Sequence, residues 1–242
     1  ASAATLRSAI VRDGHVVTGT AEEVFAGRRQ NDVPVLIGYT RDESFQPFGP
    51  IHSRAELEAA VRARFPAQAE AILKAYADPD PARAAADIAR DATVGRQMAD
   101  WATAQRRYGT QPAYAYLFAR RHPYASGIAF SDHDPATVGA YHTGDVPYWL
   151  RTRDSLNLFR MTRAWEPADK ALEDEMAGAL LAFARTGVPA SAGVGTWPAF
   201  DPAKPRLVWL GAPSRLVAWP HYADMALLSG AGAQPAGARP RD

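Results

Sequence analysis

The run VPVLIG at residues 33–38 constrains the fold of this chain more than any other feature. It is apolar and rich in β-branched residues, as in strands that are buried on both faces of a parallel sheet. The polar run TRDES follows directly at residues 40–44. Because open α/β sheets bind their ligands at the carboxyl ends of such strands, the sequence predicts a site in this loop.

Two regions of the sequence predict helices. Residues 53–108 begin at Ser53, a suitable capping residue, and are broken by proline-containing segments. Within this region, an i, i+4, i+7 spacing predicts one apolar face made by Val94, Met98 and Trp101. Residues 167–184 predict a further helix, which has a proline in its first turn and ends at Gly187.

Three further runs predict strands: PAYAYLF at 112–118, LVWL at 207–210 and RLVA at 215–218, the last two forming a hairpin. So few strands among so many helices predict an incomplete sheet, since a doubly wound sheet alternates strand and helix throughout. We therefore expect part of a larger α/β protein. Residues 1–226 are predicted to form its packed region, and residues 227–242 a flexible tail.

Composition excludes several classes of function. The net charge of +1 comes from scattered residues of both signs, so no nucleic-acid partner is expected. The chain has no cysteine, which excludes disulfides and thiolate metal sites. No apolar run approaches the roughly 20 residues of a membrane span, and the first residues lack a signal-peptide pattern. The compartment is not predicted beyond a slight preference for a secreted or periplasmic location.

The segment GAYHTGDVPYW at residues 139–149 presents a histidine in a turn-rich loop. His142 could be a core histidine, a metal ligand or half of a proton-transfer pair. The small residues around it allow a sharp turn and the close approach of another molecule. A metal site would draw on Asp132, His133 and Asp134 as well, but these residues lack a compact ligand spacing and also fit a solvated turn.

Glu43 is the acid that would complete a proton-transfer pair. It follows the buried strand and precedes His142 by 99 residues. An acid of this kind fixes the histidine tautomer and stabilises the imidazolium, and α/β-hydrolases place serine, acid and histidine in that chain order. The sequence contains no Gly-x-Ser-x-Gly and no His-Gly-Gly-Gly segment. The serine that His142 would serve is therefore expected outside this chain.

A family resemblance rests on VPVLIGYTRDE at 33–43, GAYHTGDVPY at 139–148, FARTGVP at 183–189 with WPAFD at 197–201, and RDG at 12–14. These stretches resemble the segments vPvliGtnkDEg, GafHgaElPyvF, FartGdPn…WPaYd and vvDG of the type-B carboxylesterases, which include para-nitrobenzyl esterases and cholinesterases. From about residue 8 to residue 226, the chain resembles the C-terminal half of that family.

The resemblance implies the C-terminal half of an α/β-hydrolase fold, with an incomplete sheet and a helical insertion, completed by an N-terminal half on another chain. It implies a serine esterase in which Glu43 is the catalytic acid and His142 the catalytic base, with a small ester as substrate and no cofactor or metal. Ser44 and Trp149 depart from the family pattern. Asp145 stands at a family acid position and is expected to hold the histidine loop by hydrogen bonds.

The substrate pocket is less determined by the sequence. Phe45, Phe48 and Trp149 are the candidate substrate-binding residues, although each could equally pack in the core. The basic residues of the RRH run at 120–122 could favour an anionic substrate, or could simply form an exposed loop. A different class of function also stays open, because esterase-like domains without a working triad serve as binding modules.

Overall fold

The computed structural model describes residues 12–43 and 48–229. Its helices are α1 (Ala21–Ala26), α2 (Arg54–Arg64), α3 (Ala69–Ala75), α4 (Pro81–Arg90), α5 (Arg96–Tyr108), α6 (Val146–Trp149) and α7 (Pro167–Thr186). Its strands are β1 (Val35–Thr40), β2 (Ala113–Phe118), β3 (Ala190–Ser191), β4 (Gly195–Thr196), β5 (Arg206–Leu210) and β6 (Arg215–Ala218). A π-helical turn, Asp91–Gly95, joins α4 to α5, and 3₁₀ turns span Arg153–Asn157 and Asp224–Leu228.

The four longer strands form one sheet in the order β1-β2-β5-β6. β1 runs parallel to β2, with Val35 opposite Ala113 and Thr40 opposite Phe118. β5 is parallel to β2, and β6 returns antiparallel at the edge. The predicted parallel strands and edge hairpin are thus confirmed, although β1 continues two residues beyond the predicted end and so carries Thr40 into the sheet.

Helices cover both faces of the sheet. Successive side chains of β2 point to opposite faces, so this strand contributes to two separate cores. The side chains of Tyr114, Tyr116 and Phe118 belong to the core that includes Met176 of α7. The intervening residues belong to the core that includes Ala99 and Ala102 of α5: they are Ala113, Ala115 and Leu117. This two-sided burial explains why the strands are apolar along their whole length.

The helical insertion between β1 and β2 has a core of its own. Leu57, Val61, Ile72 and Ile88 are fully buried there. Ser53 caps α2 by accepting a hydrogen bond from the backbone N–H of Glu56 at 3.2 Å, as the sequence predicted. Leu228 also packs in this core. The packed region therefore extends past residue 226, while residues 230–242 lie outside the described residues.

The predicted apolar face of α5 is wrong at one position. Trp101 is 41% exposed, whereas Ala99, Ala102 and Gln105 are buried. Small side chains let the helix approach the sheet closely, and the large indole is left on the flank of the buried face. Among the described residues, no helix is both long and apolar enough to cross a membrane.

Candidate active site

Glu43 lies three residues beyond the end of β1, at the carboxyl edge of the sheet. Its carboxylate is buried and has defined donors: Oε2 accepts the backbone N–H of Thr40 at 3.0 Å and the Thr40 hydroxyl at 3.2 Å. Both donors come from the last residue of the strand. The end of the strand therefore holds one oxygen of the acid.

His142 lies in the segment between β2 and α6, and its Nδ1 is 2.5 Å from Oε1 of Glu43. An ionised carboxylate only accepts hydrogen bonds, so Nδ1 carries the proton and Nε2 is the basic nitrogen. The side chain of Glu43 is 7% exposed and that of His142 is 62% exposed in this chain. A buried acid thus orients a histidine whose ring can be reached from outside the chain.

The acid loop and the histidine loop are also joined through their backbones. The N–H of Asp42 donates to the carbonyl of Ala140 at 3.0 Å. In return, the N–H of Ala140 donates to Oδ2 of Asp42 at 2.7 Å. Two segments separated by about a hundred positions in sequence are held in a fixed register by this reciprocal contact.

Asp145 connects the histidine loop to the sheet. Its Oδ2 accepts hydrogen bonds from the Tyr116 hydroxyl at 3.0 Å and from Trp149 Nε1 at 3.2 Å. Burial raises the pKa of the Asp145 carboxyl above its usual range. The Asp145 carboxylate thus bonds to the side chains of β2 and α6, the holding role that the sequence predicted for it.

His122 supports the same loop from the other side, a role that no pattern in the sequence indicates. It is buried, and its Nε2 lies 2.7 Å from the carbonyl of Gly144, to which it donates. The other nitrogen, Nδ1, accepts the Tyr141 hydroxyl at 3.1 Å. Burial lowers the pKa of His122 to about 4, so the imidazole is neutral near pH 7.

The residues of the basic run at 120–122 have different surroundings: Arg120 is partly buried, Arg121 is exposed and His122 is buried. Arg120 donates to Asp169 at 2.7 Å and to Glu166 at 2.6 Å, at the start of α7. Arg121 donates to the carbonyl of Ala136 at 2.6 Å. His122 is neutral and Arg120 is paired with acids, whereas Arg121 is exposed and bonds to a neutral carbonyl, so the run keeps one exposed positive charge.

The candidate metal ligands make hydrogen bonds to different partners. His133 bonds to Asp132 at 3.0 Å and to the hydroxyl of Tyr124 at 2.9 Å, within an aromatic cluster. His142 instead faces Glu43. In the described part of the chain, no group of three or more His, Cys, Asp or Glu side chains is placed to hold a metal ion.

The three candidate substrate-binding residues have different surroundings. Phe45 lies outside the described residues. Phe48 is 6% exposed and packs in the core of the helical insertion. Trp149 is partly buried, and its ring meets that of Tyr116 edge to face at 5.1 Å between centroids. Trp149 donates a hydrogen bond to Asp145, the residue that also anchors the histidine loop.

A largely parallel sheet between helices, with an acid–histidine pair at its carboxyl edge, defines the chain as part of an α/β-hydrolase. The family model described as "Carboxylesterase family" matches residues 2–219. The chain belongs to the carboxylesterase family, which confirms the resemblance seen in its motifs.

Individual relatives agree with this membership. Para-nitrobenzyl esterase of Bacillus subtilis (strain 168) is 30% identical over 74% of this chain and 34% of its own length. Phenmedipham hydrolase of Pseudarthrobacter oxydans is 26% identical over 75% of this chain and 36% of its own length. The crystal structure of Aspergillus niger EstA superposes with a TM-score of 0.62 at 19% identity, covering 91% of this chain and 44% of that one. This last likeness concerns the fold alone, and the chain spans little more than a third of the curated relatives.

Proposed function

We propose that this chain supplies the acid and the base of a carboxylic ester hydrolase that works by a Ser-His-Glu mechanism. The contact between Glu43 and His142 carries the proposal, because it joins two side chains that lie 99 residues apart in a geometry suited to proton transfer. Membership of the carboxylesterase family supports the same reaction. The nucleophilic serine and the oxyanion hole lie on the N-terminal part of the enzyme, outside this chain.

The reaction has two halves. Nε2 of His142 takes the proton of the serine hydroxyl as the serine oxygen attacks the ester carbonyl, and the imidazolium returns that proton to the leaving alcohol. Water then attacks the acyl-enzyme, with His142 again taking and returning one proton. Throughout, Glu43 keeps the Nδ1–H tautomer in place and stabilises the positive ring, while Thr40 keeps Glu43 in place.

The partner of this chain is the N-terminal half of the same enzyme, present as a second chain. Two observations support it. Among the described strands, β1 pairs only with β2, although its apolar sequence suits the interior of a sheet. Large apolar side chains are also exposed after α6: Leu150, Leu158, Phe159 and Met161. Docking of the missing half would complete the sheet and cover apolar surface.

The substrate is a small ester. The name of one curated relative, para-nitrobenzyl esterase, makes a para-nitrobenzyl ester the natural first probe. Trp149 borders the anchored histidine loop, so we assign it to the wall of the substrate pocket. Phe45 is proposed for the same wall once the N-terminal half is docked, whereas Phe48 packs in the core of the helical insertion.

Kinetics of para-nitrobenzyl ester hydrolysis by the assembled enzyme test the proposal. His142→Ala should abolish turnover, and Glu43→Gln should lower kcat by about 10⁴-fold with little change in KM. His15→Ala, at an exposed position remote in sequence from both residues, is the matched control and should behave as wild type. Full activity of His142→Ala would overturn the assignment. A folded assembly that turns over no ester would favour the binding-module alternative.

A further inference from the structure

Asp42, next to the acid, contacts the histidine loop through both its backbone and its side chain. Its N–H reaches the Ala140 carbonyl at 3.0 Å, and its Oδ2 accepts the Ala140 N–H at 2.7 Å. Ala140 is fully buried and stands two residues before His142. The Asp42 carboxylate thus sets where the histidine loop begins its turn.

The loop has the backbone that this contact requires. Gly139 adopts φ +68°, a left-handed conformation that favours glycine. A Cβ at position 139 would also collide with the side chain of Asp42. The glycine at position 139 and the aspartate at position 42 therefore fit each other.

Arg83 of α4 holds the other oxygen of the carboxylate. Its Nη1 contacts Oδ1 of Asp42, while its Nη2 lies 2.6 Å from Oδ1 of Asp87. Asp87 is bonded in turn to Arg90, whose Nη1 also donates to the backbone carbonyl of Arg41 at 3.1 Å. These ion pairs and hydrogen bonds tie the acid loop to α4 at both Arg41 and Asp42, so the carboxylate has little freedom to turn.

We infer that Asp42, oriented by Arg83, is a positioning residue that fixes His142 against Glu43. The inference rests on the proposed function for its kinetic consequence, but its structural part concerns the pair alone. The side chain of Asp42 acts through the backbone of Ala140 and is not one of the reacting groups. A displacement of about 1 Å in a catalytic group can cost on the order of 100-fold in rate, so the two hydrogen bonds between Asp42 and Ala140 affect turnover.

The test compares three variants in this chain and in the assembled enzyme. Asp42→Ala removes the acceptor of the Ala140 N–H and the partner of Arg83. Asp42→Asn keeps an oxygen acceptor for Ala140. Asp32→Ala is the matched control. Asp32 accepts hydrogen bonds from the backbone N–H groups of Thr110 and Gln111 at 2.8 and 3.2 Å, at the opposite end of β1 and β2.

The first measurement is the tautomer of His142, obtained from long-range ¹H–¹⁵N spectra of the histidine-labelled chain. We expect a single Nδ1–H form in wild type and in Asp32→Ala, mixed tautomers in Asp42→Ala, and a largely restored Nδ1–H form in Asp42→Asn. A single Nδ1–H form in Asp42→Ala would overturn the inference. Loss of that form in Asp32→Ala as well would also do so, since the effect would then follow stability alone.

The second measurement is the split between kcat and KM in the assembled enzyme. Asp42→Ala should lower kcat by about 10- to 100-fold with KM within about threefold of wild type, and Asp42→Asn should recover most of the loss. A kcat of Asp42→Ala within about twofold of wild type would contradict the kinetic part of the inference. Absence of ester turnover in wild type would contradict the proposed function. The tautomer measurement would still test whether Asp42 positions His142 through Ala140.

Discussion

Thr40 donates two hydrogen bonds to one oxygen of Glu43, from its backbone N–H at 3.0 Å and from its hydroxyl at 3.2 Å. Because Thr40 is the last residue of a parallel strand, the position of the acid is set by the sheet. The other oxygen is thereby left to face His142. The end of β1 thus sets the position of the acid, while the contacts of Asp42 with Ala140 set the position of the histidine loop.

Replacing Thr40 with valine tests this relationship. The substitution keeps the shape of the side chain and the backbone donor but removes the hydroxyl. One hydrogen bond is typically worth about 1 kcal/mol, so kcat of the assembled enzyme should fall roughly fivefold with KM unchanged. Thr93→Val, in which the lost hydroxyl donates to helix carbonyls, should leave kcat as in wild type. Equal losses in the two variants would show that the Thr40 hydroxyl has no particular role.

His122 should make the stability of the chain depend on pH. Its pKa is lowered by burial to about 4 from the ordinary value of 6.5, so the unfolded state binds the proton more readily than the folded state. Its contribution is therefore fully present above pH 6.5 and is lost as the pH falls toward 4, by an amount on the order of 3 kcal/mol.

Urea unfolding of wild type and His122→Gln between pH 4 and pH 7 measures this contribution. The difference in the free energy of unfolding between the two proteins should change across that window, with wild type losing more stability on acidification. The groups that face His122 include Arg163, Arg120 and Asp169, and all are present in both proteins. Parallel pH profiles would mean that His122 is not buried in its neutral form.

Gly38 is required where β1 passes β2. A Cβ at this position would collide with the ring and the backbone carbonyl of Tyr116. Gly38→Ala should therefore destabilise the chain by about 1–3 kcal/mol. Gly178→Ala is the control, because Gly178 lies in α7 with nothing near its Cβ position, and it should stabilise the chain by up to about 1 kcal/mol. Thermal unfolding distinguishes the two, and a neutral Gly38→Ala would contradict the register of the sheet.

The sequence predicted those parts of the fold and site that depend on local patterns. The apolar run at 33–38 gave β1, and the polar residues after it gave Glu43. The glycines around His142 indicated its loop. Pairing these two residues needed only the chain order typical of the fold. Their proximity in the structure agrees with that pairing.

The roles of the supporting residues could not be predicted from local patterns, because they depend on contacts between segments that are distant in sequence. Asp42 meets Ala140 across 98 positions, and His122 meets Gly144 through a backbone carbonyl that no side-chain pattern reveals. Trp101 shows the opposite error, since helical periodicity favoured burial while close packing of α5 on the sheet favoured its alanines. Periodicity predicts which face is apolar, but tertiary packing decides which side chains fit.

The most direct test of the account is intact mass spectrometry of the assembled enzyme after reaction with a fluorophosphonate, a probe that labels activated serines. We expect one probe mass on the polypeptide that bears the N-terminal part, none on residues 12–229, and no labelling in the His142→Ala assembly. A probe on a serine of this chain, or labelling that is unchanged without His142, would contradict the claim that Glu43 and His142 serve a serine outside this chain.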